Sequence, residues 1–328
     1  VELNNLRSEP VGYMDVKEMY PLDIEEFYHA VGMADHVIAK LRQCWQDKEP
    51  VDEFVHRRLM QAFRLYLVIG GMPHAVQTYL DTNNLQDVLA VQKSILQEYK
   101  RDIMKYKRDD SSQKLYIDEV FQLIPSELNA KNKRFILKSL NEKARFASYE
   151  NSFLWLRDAG VALPTYNVEE PKQPLLLAKT RNLFKLFQSD VGLLTSQFAD
   201  GIQLKLLGDN QAINYGAGYE NVVAQELKAH GFDLYYYNSK RLGELDFVVE
   251  YHGNVLPIEV KSGKDYERHN ALSNVMSSAE YALPEALVLC NGNVSVDGKV
   301  VYMPIYMLMF LEKEQAVNVT YKLDLSDL

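Results

Sequence analysis

The chain has 328 residues, with 36 Lys and Arg against 45 Asp and Glu, a formal net charge of −9 and a sequence pI near 5.4. Its length predicts two or three domains, and 47% hydrophobic with 25% charged residues is the composition of a soluble globular protein. The acidic balance excludes a protein that coats nucleic acid by bulk electrostatics. No run approaches the roughly 18 apolar residues of a membrane span, and no secretory signal opens the chain. Cys44 and Cys290 lie far apart, suggest no disulfide framework and fit a reducing cytoplasm. No Cys/His spacing suggests zinc, and the 7 histidines are scattered.

The sequence opens on Val1 rather than a methionine, and residues 11–16 read as a short strand. A helix is expected to begin near Asp23, and the pattern stays helical to Leu80. The segment 54–68 is stopped by Gly70-Gly71, and Pro73 opens the next helix as a first-turn proline. Residues 94–177 look like a winged-helix unit: helices over 115–128, 132–140 and 149–159, the last stopped by Gly160, then a strand-like hairpin over 161–177. Helix-turn-helix geometry is often a DNA-reading device. The third helix, however, carries Phe153, Leu154, Trp155 and Leu156, which favour packing or protein contact over base reading. From residue 93 to 145, thirteen Lys and Arg stand against eight Asp and Glu. That excess can meet phosphates or simply form a solvated helical face.

Residues 183–194 read as a strand and a short helix. A helix over 218–230 has apolar residues at 219, 222, 223 and 227 and is stopped by Gly231. A strand follows at 232–237, then two β-branched runs, 243–250 and 255–263, around the turn signal Tyr251-His252-Gly253-Asn254. A polar helix over 268–282, ended by Pro284, and a buried strand over 285–290 complete the pattern. The apolar segment 303–311 is broken by Pro304 and reads as buried core.

Three charges interrupt the paired runs. Side chains alternate along a strand, so Glu259 and Lys261 share a face. A turn at Gly253-Asn254 sets Asp246 opposite Lys261, whereas a turn at His252-Gly253 sets it opposite Glu259. Either register keeps Asp246, Glu259 and Lys261 on one face. Carboxylates and an ammonium held on rigid strands can ligate a hard divalent cation and polarise a water. The ordinary alternative is a solvated cross-strand ladder contributing roughly 0.2–1 kcal/mol per pair.

This D…(hairpin)…E-x-K arrangement resembles the PD-(D/E)xK nuclease superfamily, whose core runs helix–strand–strand–strand–helix–strand. The resemblance implies that Asp246 and Glu259 hold Mg²⁺ or Mn²⁺, that Lys261 is catalytic and that Glu220, on the first helix, is a further metal ligand. Glu220 reads equally as a solvated helix residue. Glu244 shares the face of Asp246 and either approaches the site or flanks the strand.

A wider resemblance rests on "MYPLDIEEF", "YLVIGGMPHAVQTYL", "ILQEYKRDIMKY", "YENSFLWLRDAGVAL", "LFKLFQSDVGLL", "NYGAGYENVVAQEL", "GELDFVVE" and "PIEVKSG", in that order. Together they are similar to prokaryotic AAA-type ATPases with a C-terminal domain of uncharacterised function. The chain has no G-x-x-x-x-G-K-[ST]. The resemblance therefore implies that residues 1–30 are the tail of an ATPase core whose nucleotide-binding part is absent, with ATP relevant only through that part. The expected architecture is α/β: a helical lid (31–93), a winged-helix region (94–178) and a PD-(D/E)xK restriction-endonuclease-like domain with a mixed central sheet (179–328). The expected activity is phosphodiester cleavage in the cytoplasm, with nucleic acid and the protein's own ATPase core as partners, no membrane and an oligomer allowed. The alternative is a non-catalytic nucleic-acid- or protein-binding module that regulates the ATPase.

Overall fold

A computed structural model describes residues 17–105, 111–130, 135, 146–199, 201–208 and 215–314. The strand expected over 11–16 lies outside them, as does all but Phe135 of the helix expected over 132–140. The described chain is mixed α/β, with a helical N-terminal part and an eight-stranded mixed sheet.

Helix α1 (Ile24–Ala30) starts where the sequence placed it, because Asp23 and Glu26 form a reciprocal cap. The Glu26 N–H donates to Asp23 Oδ1 at 2.8 Å, and the Asp23 N–H donates to Glu26 Oε2 at 3.1 Å. Helix α2 (Asp35–Asp47) follows, then α3 (Glu53–Ile69), which ends at Gly70, and α4 (Pro73–Thr82), with Pro73 in its first turn. Helices α5 (Leu85–Lys105), α6 (Ser111–Asn129) and α7 (Phe146–Asp158) complete this part. On α7, Phe153 and Leu156 are buried, as expected of packing residues.

Two strands follow, β1 (Ala162–Val168) and β2 (Lys179–Gln188), then the short helices α8 (Val191–Ser196) and α9 (Ile202–Leu207). From Gly216 to Cys290 the order is helix–strand–strand–strand–helix–strand: α10 (Gly216–Ala229), β3 (Tyr235–Ser239), β4 (Gly243–Tyr251), β5 (Asn254–Val260), α11 (Asn270–Met276) and β6 (Ala286–Cys290). Strands β7 (Ser295–Asp297) and β8 (Val300–Pro304) finish the sheet, whose spatial order is β2-β1-β3-β4-β5-β6-β8-β7. The 3-10 turn Ile305–Phe310 is buried throughout.

Three details differ from the sequence expectation. The strand-like hairpin expected over 161–177 is longer, with its second strand at Lys179–Gln188, and it belongs to the main sheet. β1 pairs in parallel with β3 through Tyr166↔Tyr235 to Val168↔Tyr237, and antiparallel with β2, so one sheet runs across residue 178. Helix α11 is shorter than 268–282: it closes at Ser277, whose Oγ donates back to the Ser273 carbonyl at 2.7 Å, and Ala282 is left-handed before Leu283-Pro284. Strands β7 and β8 were not anticipated from the sequence.

The turn between α3 and α4 ties the helical part to the sheet side. Leu22 N donates to Gly71 O at 2.7 Å, and a Cβ on Gly71 would lie 2.0 Å from the Leu22 carbonyl oxygen. Only glycine fits. The buried Asp190 carboxylate, capping α8, accepts from Gly71 N at 2.6 Å and from Leu193 N at 2.8 Å. Gln92 on α5 donates to the Val68 and Ile69 carbonyls at the end of α3. Burial pushes the Asp190 carboxyl up to about 6 even against these bonds. Asp190→Ala would leave buried N–H groups without an acceptor and should cost about 3 kcal/mol in urea unfolding. Asp190→Asn, which keeps one acceptor oxygen, should cost about half as much. Equal stability of Asp190→Ala and wild type would show that this junction does not hold the two parts together.

Candidate functional site

The hairpin β4–β5 sets the geometry. Tyr251 pairs with Asn254 and Phe247 with Ile258, so the turn is His252-Gly253, and continuing the register brings Asp246 level with Glu259. Both turn residues have positive φ, 48° and 68°, the two-residue type I′ turn whose twist matches the strands. Asp246 Oδ2 accepts from the Val260 N–H at 2.9 Å, which fixes the carboxylate against the neighbouring strand. Lys261 follows β5 and is anchored by its N–H to the Leu289 carbonyl at 2.8 Å, while its Nζ lies 2.7 Å from Glu259 Oε1. Just beyond, Asn291 donates to the Ser262 carbonyl at 2.9 Å and accepts from the Tyr219 hydroxyl at 3.0 Å. The end of the E-x-K strand is thereby tied to α10.

A residue that sequence reasoning missed sits among the acidic groups. Lys185, on β2, is fully buried, and its Nζ lies 2.9 Å from Glu244 Oε1, 3.7 Å from Glu220 Oε2 and 3.9 Å from Asp246 Oδ1. Its ammonium also faces the Tyr236 ring, 5.0 Å from the centroid. Burial alone would lower the pKa of this lysine, but Glu220, Asp246 and Glu244 outweigh it and raise the pKa, favouring the charged form. The structure therefore brings together Asp246, Glu259, Lys261 and Glu220, and it adds Glu244 and Lys185. Asn238 Nδ2 donates to Glu244, holding that carboxylate in the cluster. The signal for Lys185 was a lone lysine within the apolar run Leu183-Phe184-Lys185-Leu186-Phe187.

The charges do not cancel. Four carboxylates, Glu220, Glu244, Asp246 and Glu259, face two ammonium groups. Glu259 carries the imbalance: it is buried, and its Oε2 has no hydrogen-bond partner. Burial first, then the Asp246 charge, push its carboxyl up to about 8 against the pull of Lys261. Among the described residues no three His, Cys, Asp or Glu side chains are grouped to hold a metal ion. Three of the carboxylates are instead drawn around Lys185. Glu259 Oε2, beside Asp246, is left as a buried acceptor with no hydrogen-bond partner in a cluster of excess negative charge.

Comparison with known proteins divides the chain at this site. Residues 60–203 match a domain of unknown function, DUF8612. Residues 215–308 match a second domain of unknown function, DUF4143. DUF4143 is typically found at the C-terminus of AAA-ATPase-associated proteins. No curated protein and no solved structure matches the chain. Glu220, Glu244, Asp246, Glu259 and Lys261 fall within the DUF4143 match and Lys185 within the other, so the two matched segments build the cluster jointly. No helix among the described residues is long and apolar enough to cross a membrane.

Glu259 makes a testable demand on pH. Its carboxyl is raised from an ordinary 4.5 to about 8 in the folded protein. The protonated form is therefore favoured by folding, and the stability it contributes is complete below about 4.5 and lost as pH rises through about 8. In chelator-treated buffer the melting temperature of the wild type should fall across that window relative to Glu259→Gln, which cannot titrate. Parallel pH profiles for the two proteins would show that Glu259 is ionised throughout.

Proposed function

We propose that the Asp246–Glu259–Lys261 face is a metal-dependent phosphodiesterase centre of the PD-(D/E)xK type. The observation that carries this reading is the hairpin register, which sets Asp246 level with Glu259 and leaves Glu259 Oε2 orphaned beside it. Asp246 and Glu259 are the residues that would hold Mg²⁺ or Mn²⁺, with Glu220 behind them. A bound divalent ion supplies Lewis-acid polarisation of a water and of the phosphoryl oxygens. Lys261, partly exposed and held by Glu259, is placed to orient the attacking water or to neutralise charge developing on the phosphorus oxygens. The Val260 N–H fixes Asp246, so the ligand geometry is set before substrate arrives.

The chain is read as the C-terminal portion of an AAA-type ATPase, its own core being the partner that binds ATP. Nucleic acid is the expected substrate class. With a net charge of −9, contact with phosphates must be local, and the basic segment 93–145 is the source for it.

A second reading has its own support. Lys185 pairs with Glu220, Glu244 and Asp246 without any metal and offsets part of their charge, as a non-catalytic module retaining this fold would need. Assays on plasmid, linear, branched and RNA substrates with Mg²⁺ or Mn²⁺ separate the two. For the enzyme, Asp246→Asn should abolish cleavage and the Mn²⁺-induced rise in melting temperature. Lys261→Ala should keep Mn²⁺ binding but lower turnover about 10²-fold. Wild-type inactivity on every substrate, with no melting shift in Mn²⁺, would leave the non-catalytic module as the reading.

A further inference from the structure

The cluster contains two places for positive charge, and they differ. One lies between Asp246 and Glu259, where a buried carboxylate oxygen has no partner. The other is surrounded by Glu220, Glu244 and Asp246 and is filled by the Lys185 ammonium, at 3.7, 2.9 and 3.9 Å. Asp246 belongs to both. Its Oδ1 faces Lys185, and its charge acts on Glu259. A carboxylate shared between neighbouring cations is the arrangement of a two-metal centre, in which the ions stand about 3.5–4 Å apart. Here one of those cations belongs to the chain itself. Divalent ions draw carboxylate oxygens to about 2.0–2.6 Å, closer than any of the Lys185 contacts, and take several at once. An ammonium holds the same oxygens at hydrogen-bond and ion-pair distance and cannot leave.

We propose that Lys185 takes the place of a second divalent ion, so that the centre accommodates one divalent cation beside a fixed monovalent charge. The single bound ion rests on the phosphodiesterase reading. The assignment of Lys185 does not, because it concerns the Glu220–Glu244–Asp246 pocket, whichever activity the protein has. The strand position supports it. Lys185 is fully buried on β2, with its ammonium among Glu220, Glu244 and Asp246. It therefore serves the cluster and not the surface.

The test counts Mn²⁺ bound to the metal-stripped chain, by electron paramagnetic resonance of the free ion, alongside melting temperatures. Wild type should bind one Mn²⁺. Lys185→Met should bind one more, and its melting temperature should rise further with Mn²⁺ than that of wild type. Because Lys185→Met strands buried carboxylates, the double variant Lys185→Met/Glu220→Gln removes the buried cation together with its most buried partner. It too should bind one ion more than wild type. Glu244→Gln, at a partly exposed position, should keep the wild-type count, since Glu244 serves Lys185 and not the metal. Two ions bound by wild type, an unchanged count in the Lys185 variants, or loss of the ion in Glu244→Gln would each overturn the proposal. Wild type binding none while the Lys185 variants bind one would remove the metal-dependent phosphodiesterase and leave Lys185 as the substitute cation. One ion in every protein would do the reverse.

Discussion

The fold depends on a helix that has no solvent face. From Ala217 to Leu227 every residue of α10 is buried, including Glu220, Asn221, Gln225 and Glu226. Each of these polar groups must find a partner inside the protein, and together they reach β2, α8, α3 and α1. Glu220 faces Lys185 on β2. Asn221 accepts from the Gln188 N–H at 2.8 Å and donates to the Gln188 carbonyl at 3.0 Å, closing the end of the same strand. Gln225 accepts from Val191 N at 3.0 Å and donates to the Tyr66 hydroxyl at 2.7 Å, joining α8 to α3. Glu226 accepts from Ile24 N at 3.0 Å, at the first turn of α1. Apolar packing could bury this helix in several rotations; four directional partners allow one.

That constraint explains why the N-terminal helices and the sheet cannot be described apart. The C-terminal end of α10 also carries a pair of shifted titratable groups. Burial pushes Glu226 up to about 8, while His230, against Glu226 and Asp23, is pushed up to about 9 despite its own burial. His230 Nδ1 lies 2.8 Å from the Leu311 carbonyl, and His230 Nε2 lies 3.7 Å from Asp23, the cap of α1. One end of α10 thus holds the cluster with Lys185 and the other holds the entrance of the helical part. A displacement of α1 has a direct mechanical route to Glu220 along three turns of a rigid helix.

What could be read from the sequence follows the range of the interactions. The hairpin was legible because strand alternation and turn chemistry are local: Asp246, Glu259 and Lys261 share a face in any unbulged register. Which register holds was not legible, since Tyr251-His252-Gly253-Asn254 offers two turns; the structure settles it by placing His252 as well as Gly253 at positive φ. The caps at Asp23 and Pro73 and the stop at Gly70 were local too. Lys185 was not legible, because its partners lie at 220, 244 and 246, and a lone lysine in an apolar strand carries no mark of them. Glu220 read equally as a solvated helix residue for the same reason. Only the elements that cover α10 show that position to be internal. The strand ahead of residue 178 joined the sheet because β3 offered it an edge, a partner some 70 residues downstream that no local pattern names.

Energetics bear on why the cluster is charged at all. Replacing a buried ion network with apolar side chains of similar volume is often neutral or stabilising by about 1–4 kcal/mol, whereas deleting one member alone is costly. Stability by itself is therefore a poor reason to keep Lys185 among carboxylates at the edge of a sheet that could have been packed with leucine. The cluster is also unbalanced. Glu259 keeps a buried oxygen unpaired and a carboxyl raised to about 8, as Glu226 does at the other end of α10. An unpaired buried acceptor costs roughly 1–3 kcal/mol, and groups perturbed in this way concentrate where chemistry or binding uses them. Lys185 accounts for Glu220, Glu244 and Asp246. It does not account for Glu259, and that remainder is what the proposed cation site at Asp246 and Glu259 rests on.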